Sequence, residues 1–234
     1  VMNIADHVCK NEPVLVFSME MGKDQLLDRM VSNRSSIHLG NIRKGELCQT
    51  DWARLTKVVG EFKNSDLHIV DKPAQTVMDI KTKARQIKRE CGLSLIVIDY
   101  IQLMRGEGQN RNLEIQGISQ GLKALALDLQ VPVIALSQLN RSLEDRQNKR
   151  PRLSDLRDSG SLEQDADGII FIYRDEIYNE HSEHRGIAEL NVAAQRNGET
   201  GTVYATTRLE YNRFCNFVGD LPEVRVQATG NIYN

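Results

Sequence analysis

The sequence predicts an α/β fold, a mostly parallel central sheet with helices on both faces. Two observations carry this. Short, almost continuously apolar runs recur along the chain, and each is separated from the next by a stretch with helical apolar spacing. The length, 234 residues, suits one large domain with a full core.

Val14-Leu15-Val16-Phe17, after Pro13, is a compact buried-strand run. Residues 23–34 follow with Leu26, Leu27, Met30 and Val31 at helical spacing. Thr50-Asp51 can cap a second helix carrying Trp52, Leu55, Val58 and Val59. Residues 67–70 read as a strand. Residues 76–91 read as a basic helix with Val77, Ile80, Ala84 and Ile87 on one face. The strongest strand is 93–101, almost continuously apolar until Asp99; 113–129 is helical, and 131–136 is a further buried strand. From Asn140 the chain turns polar through Asp167. Strands return at 168–173, 187–193 and 202–208, with Asn197-Gly198 as a hairpin-type turn.

The two ends read differently. Residues 1–8 have the pattern of a helix entered part-way, without a cap, so a preceding segment is expected. Residues 219–234 have little pattern and read as a tail, which leaves 1–218 as one domain.

No apolar run approaches a bilayer span and no signal-peptide form opens the chain, so a cytoplasmic location is expected. Cys9, Cys48, Cys91 and Cys215 stand singly, the pattern of reduced and mostly buried thiols rather than a disulfide frame or zinc site. His181 and His184 come closest to a metal pair, but among Glu and Ser they read as solvated loop residues. The net charge of −2 gives nucleic-acid binding no support from bulk electrostatics. Any DNA contact must come from a few local groups or from a weak site repeated around a ring.

In open parallel sheets, ligands bind beyond the carboxyl ends of the strands. Three polar residues stand at such ends: Glu20, Asp99 and Gln138. Leu95-Ile96-Val97-Ile98-Asp99 has the form of a Walker B site, whose carboxylate serves a nucleotide's magnesium. The same pattern equally suits an N-cap or a solvent-facing strand end. Glu20 can polarise a water or be an ordinary surface acid; Gln138 can report a terminal phosphate or close a sheet-end hydrogen bond. Together, at neighbouring strand ends, they favour a nucleotidase. No GxxxxGK[ST] occurs, and Gly22-Lys23-Asp24 lacks both the upstream glycine and the hydroxyl residue. That loop normally precedes the first helix, so it is expected upstream of Val1, and the chain alone is expected to bind nucleotide poorly.

Five blocks resemble the DnaB-type replicative helicases, in the family's order and spacing. They are Val16-Phe17-Ser18-Met19-Glu20-Met21, Val97-Ile98-Asp99-Tyr100-Ile101-Gln102-Leu103-Met104 and the run from Val131-Pro132-Val133 to Ser137-Gln138-Leu139-Asn140-Arg141. The others are Ser154-Asp155-Leu156-Arg157-Asp158-Ser159-Gly160 through Asp167, and Gln195-Arg196-Asn197-Gly198. The resemblance implies a RecA-like P-loop NTPase core with a C-terminal antiparallel hairpin. It implies an ATP-driven helicase that uses Mg2+, forms a homohexameric ring on single-stranded DNA, and works with a helicase loader and primase beside a separate N-terminal collar domain.

By the same resemblance, Glu20 is the catalytic base, Asp99 the Walker B carboxylate, and Gln138 the link from the γ-phosphate to the DNA-facing loops. Arg29 packs against the adenine base; read alone, it is a plain surface arginine. Arg196 is the arginine finger serving a neighbouring subunit, although an arginine beside a hairpin turn is more often solvated. Arg157, Asp158 and Gly160 fall on the loop that tracks the DNA backbone in the ring's pore, where one such set per subunit needs little net charge. Ala194 departs from the family's usual lysine, and Met21-Gly22-Lys23 departs from its commoner proline-type continuation. Two other functions fit parts of the pattern: a RecA-like recombination or repair ATPase, and a non-catalytic ring or scaffold that binds a loader.

Overall fold

The computed structural model describes residues 1–219, and the side chains of all of these except 157–160. Four strands form a parallel sheet: β1 (Val14–Ser18), β2 (Leu67–Val70), β3 (Leu95–Asp99) and β4 (Val133–Ala135), in the spatial order β2-β1-β3-β4. Successive strand residues face opposite sides, so a strand buried on both faces needs apolar residues throughout. Leu15, Phe17, Ile96 and Ile98 join one core cluster with Ile80, Ala84 and Ile87 of α5 (Val77–Cys91) and Ile118, Leu122 and Leu125 of α6 (Arg111–Leu129). Val14, Val16, Leu95 and Val97 join the other, with Ala5 of α1 (Met2–Val8) and Leu26 and Met30 of α2 (Lys23–Ser35). The alternation along each strand is therefore shared between two cores.

Local chemistry sets the helix ends. Thr76 Oγ1 accepts from the Asp79 N–H at 3.1 Å while the Asp79 carboxylate accepts from the Thr76 N–H at 2.9 Å, a reciprocal cap for α5. A short α3 (Leu39–Lys44), not foreseen in the sequence, stops at Gly45, whose φ of 72° suits a residue without a Cβ. α4 (Gln49–Lys63) begins earlier than Thr50-Asp51 suggests: Cys48 is its N-cap, and the Asp51 side chain reaches back to the Cys48 N–H at 3.2 Å.

The second layer of strands is larger than a hairpin. β5 (Gly168–Tyr173), β6 (Ile187–Gln195), β7 (Gly201–Arg208) and β8 (Arg213–Asn216) form an antiparallel sheet in sequence order. Asn197-Gly198 lies in the β6–β7 turn, as read. β8 is too short and polar, Arg213-Phe214-Cys215-Asn216, to announce itself by periodicity. Side chains tie this sheet to the first helices. Asn3 donates to the Asn212 carbonyl at 2.9 Å and accepts from the Phe214 N–H at 2.8 Å, and Arg213 donates to Asn33 at 2.7 Å. The polar stretch between the sheets holds two 3-10 segments, Arg141–Asp145 and Leu153–Ser159, and α7 (Gly160–Asp165).

One expectation is corrected. All four cysteines are free, but only Cys9 is buried; Cys48 and Cys91 are exposed and Cys215 is intermediate. Cys48 and Cys91 sit at helix ends, where a small polar group has a local partner and no core to enter. Among the described residues no cluster of His, Cys, Asp and Glu can hold a metal by three protein ligands, and no helix is long and apolar enough to cross a membrane. Apart from Gly219, the expected tail (219–234) lies outside the described residues.

Candidate active site

The parallel register brings the carboxyl ends of β1 and β3 side by side. Ser18 pairs with Asp99, and the Met19 N–H donates to the Asp99 carbonyl at 2.9 Å. Ser18 is buried, and its hydroxyl donates to the Met21 carbonyl at 2.7 Å and accepts from the Met21 N–H at 3.3 Å. The chain is thereby folded into a tight turn that leaves Glu20 exposed at the sheet's end. Gly22 then serves as the N-cap of α2, and the Lys23 N–H donates to Asp71 at 2.9 Å; the Gly-Lys pair is a helix start, not a phosphate cradle.

Asp99 is half-buried, and its carboxyl is held above the usual carboxylate range. Burial is the main cause and the negative charge of Glu20 the second, with Arg29 opposing them. Glu20, Asp99 and Arg29 therefore share one electrostatic neighbourhood. Two carboxylates that repel each other at a strand end form an oxygen-donor site which a hard cation would relieve. A magnesium ion suits it, because Mg2+ is commonly bound by one or two carboxylates together with water and substrate phosphates.

Gln138 follows β4 and is exposed. Its backbone is gripped by Gln102, in the 3-10 turn just after Asp99. The Gln138 N–H donates to Gln102 Oε1 at 3.1 Å, while Gln102 Nε2 donates to Ser137 Oγ at 2.9 Å and to the Gln138 carbonyl at 3.4 Å. Arg111 in turn donates to the Gln102 carbonyl at 2.7 Å. Sequence reasoning missed Gln102; its only signal was a polar residue inside Tyr100-Ile101-Gln102-Leu103. Glu20, Asp99 and Gln138 thus stand at the same end of three adjacent strands, with Arg29 nearby.

Arg196 is not part of this group. It follows β6, its N–H donates to the Asp167 carbonyl at 2.9 Å, and its guanidinium donates to the Gln164 carbonyl and lies 3.7 Å from the Asp167 carboxylate. Lys123 pairs with the same carboxylate, which lowers the pKa of Asp167. Gln195 pairs with Gly168 at the start of β5, whereas Tyr173, at its far end, lines an open recess with Leu139. The length of β5, about 16 Å at ~3.3 Å per residue, therefore separates Arg196 from the Gln138 side. Ala194 pairs with Ile169 within the sheet and carries no charge toward either end. The side chains of Arg157, Asp158 and Gly160 lie outside the described residues.

The family model for the DnaB-like helicase C-terminal domain matches residues 1–216. The chain belongs to the DnaB-like helicase C-terminal domain family. It is 48% identical over 230 residues to the replicative DNA helicase DnaB of Geobacillus stearothermophilus, covering 96% of this chain and 51% of that protein. Identity is 51% over 224 residues to the DnaB of Buchnera aphidicola from Acyrthosiphon pisum, covering 93% and 49%. The chain spans about half the length of these curated relatives. Among solved structures, the ATPase domain of G40P superposes with a TM-score of 0.87 at 41% identity, over 93% of this chain and 80% of that one. A DnaB-like replicative helicase, described with its interactions with primase, gives 0.86 at 42% identity, over 90% and 52%. The α/β architecture expected from the sequence is that of these DnaB-like ATPase domains.

Proposed function

We propose that this chain is the motor domain, residues 1–218, of a replicative DNA helicase that couples ATP hydrolysis to movement along single-stranded DNA and to duplex unwinding. The observation that carries the reading is the convergence of Glu20, Asp99 and Gln138 at the carboxyl ends of β1, β3 and β4. That is the place where open α/β sheets bind ligands.

Glu20, exposed and beside a second carboxylate, orients a water and accepts its proton. Asp99 would hold Mg2+, through water. Bound there, the metal supplies neutralisation of phosphate charge. Gln138 offers its side-chain amide to the terminal phosphate, and Arg29 covers the base. Arg196, remote from its own site, serves the neighbouring subunit's site in a homohexameric ring; a trans arginine of this kind contributes orders of magnitude in rate. Arg157, Asp158 and Gly160 face the DNA in the pore. A helicase loader and primase are the expected protein partners, and the protein works in the cytoplasm.

ATP turnover of the complete protein, with and without single-stranded DNA, tests this against its Arg196→Ala variant. DNA-stimulated turnover that collapses in the variant supports a ring motor firing across subunit interfaces. Turnover indifferent to DNA, or unchanged by the variant, refutes it and favours a scaffold.

A further inference from the structure

The chain from Gln138 to Arg157 joins no sheet; between them lie only the two 3-10 segments and irregular backbone. Its two ends are nevertheless fastened together, and the fastener is Asp155. Asp155 is 6% exposed in a stretch otherwise rich in exposed polar groups. Its carbonyl accepts from the Asn140 N–H at 3.0 Å. Its carboxylate accepts from the Arg152 N–H at 2.8 Å and from Arg146 Nη2 at 2.7 Å. Arg146 Nη2 also donates to the Arg150 carbonyl at 3.2 Å. Arg150 forms a two-pronged pair with Glu189 of β6, at 2.7 and 2.6 Å, while its guanidinium stacks 4.6 Å from the Tyr173 ring centroid.

The chemistry of this knot is out of proportion to its surroundings. A buried carboxylate must be paired and hydrogen-bonded to be tolerated, and here one acid takes a guanidinium and a backbone N–H while its own carbonyl binds a third strand of chain. A loop needing only to be tethered to the surface would be served by Leu143 and Leu156, both buried. The acid adds direction. Asn140 is two residues past Gln138, and Asp155 is two residues before Arg157 in the same 3-10 segment. A shift of the β4 tip that moves Gln138 must carry Asn140 with it. Through the 3.0 Å bond it also carries the turn that leads into residues 157–160.

From this geometry we infer that Asp155 is a positioning residue that transmits the nucleotide state sensed at Gln138 to the DNA-facing turn, with Arg146 as its partner. The inference rests on the motor reading above and names the device by which the two functions communicate. The carboxylate holds the turn that presents the Asp155 carbonyl to Asn140, and the side chain is buried away from Glu20, Asp99 and Gln138, so its loss should leave hydrolysis intact and loosen the link.

The test uses the complete protein, wild type, Asp155→Asn and Arg146→Gln. Arg146 is partly exposed, so its variant removes the Arg146–Asp155 carboxylate contact from the side that tolerates change. Two quantities are read: ATP turnover without and with an oligo-dT strand, and affinity for fluorescein-labelled oligo-dT in the presence of a non-hydrolysable ATP analogue or of ADP. Both variants should keep the basal rate and lose about tenfold in stimulation, the worth of one charge-assisted hydrogen bond. The ratio of DNA affinities between the two nucleotide states should fall toward one. Equal stimulation and an unchanged affinity ratio in the variants overturn the inference, as does a proportional fall of basal and stimulated rates, which would make Asp155 merely structural. A wild type with no stimulation at all refutes the motor reading instead.

Discussion

Replacing Arg34 by methionine should destabilise the domain by about 3–5 kcal/mol at neutral pH, the usual cost of stranding one member of a buried ion pair. Arg34 of α2 and Asp6 of α1 meet at 2.7 Å with side-chain exposures of 8% and 9%, so water replaces little of the lost contact. The same guanidinium donates to the Asp6 carbonyl at 3.3 Å, lies 3.5 Å from Glu61, and covers the Phe62 ring at 4.0 Å, joining three helices. Methionine keeps much of the stem's volume, so the packing term is small and the electrostatic term decides the result. At ~2–4 °C per kcal/mol for a domain of this size, Tm should fall by roughly 6–20 °C.

The pH dependence carries the sharper test of the same substitution. Burial already raises the Asp6 pKa, and Arg34 is the chief influence holding it down. Without Arg34 the folded-state value rises further above the unfolded one. The folded variant then takes up a proton as pH falls through that value, so the penalty is largest above it and shrinks toward acid. Asp6→Asn combined with Arg34→Met should recover most of the loss, because no charge is left buried. Urea unfolding followed by circular dichroism at pH 7 and pH 5 reads all of this. A penalty below about 1 kcal/mol, or one that grows on acidification, refutes the claim that Asp6 is charged and dependent on Arg34.

Two further results are expected at the site. Asp99→Asn should raise Tm of the nucleotide-free protein at neutral pH, since it removes a half-buried charge that faces Glu20, while abolishing hydrolysis. Because the folded-state pKa of Asp99 is raised, wild-type stability falls as pH rises from the ordinary carboxylate range through the folded value; a thermal-melt series over pH should lose that component in the variant. Gln102→Leu should release the Gln138 N–H, so amide exchange there should quicken about tenfold while the core strands keep their protection. Unchanged exchange at Gln138 would mean that Gln102 does not hold the β4 tip.

Much of the fold was legible because its causes are local. Apolar residues at every position of 14–17 and 95–98 announce strands buried on both faces. The spacing along α5 and α6 announces the helices that cover them, and Thr76 with Asp79 marks a helix start. Asp99 and Glu20 were visible for the same reason, as acids placed where an apolar run stops. Family resemblance supplied their roles and those of Arg29 and Arg196, whose own surroundings in the sequence are those of ordinary surface arginines.

Tertiary structure alone decided what meets at the site. The strand order β2-β1-β3-β4 sets Ser18 against Asp99, residues far apart in the chain, and no periodicity encodes which strands become neighbours. Gln102 and Asp155 went unread because each side chain is polar and unremarkable in its window. Their importance lies in the partners, Gln138 for one, Asn140 and Arg146 for the other, that the fold delivers to them. A sequence records which groups a chain can bring to a bond. Which bonds form depends on the distances between segments, and those are set only when the cores on the two faces of the sheet close.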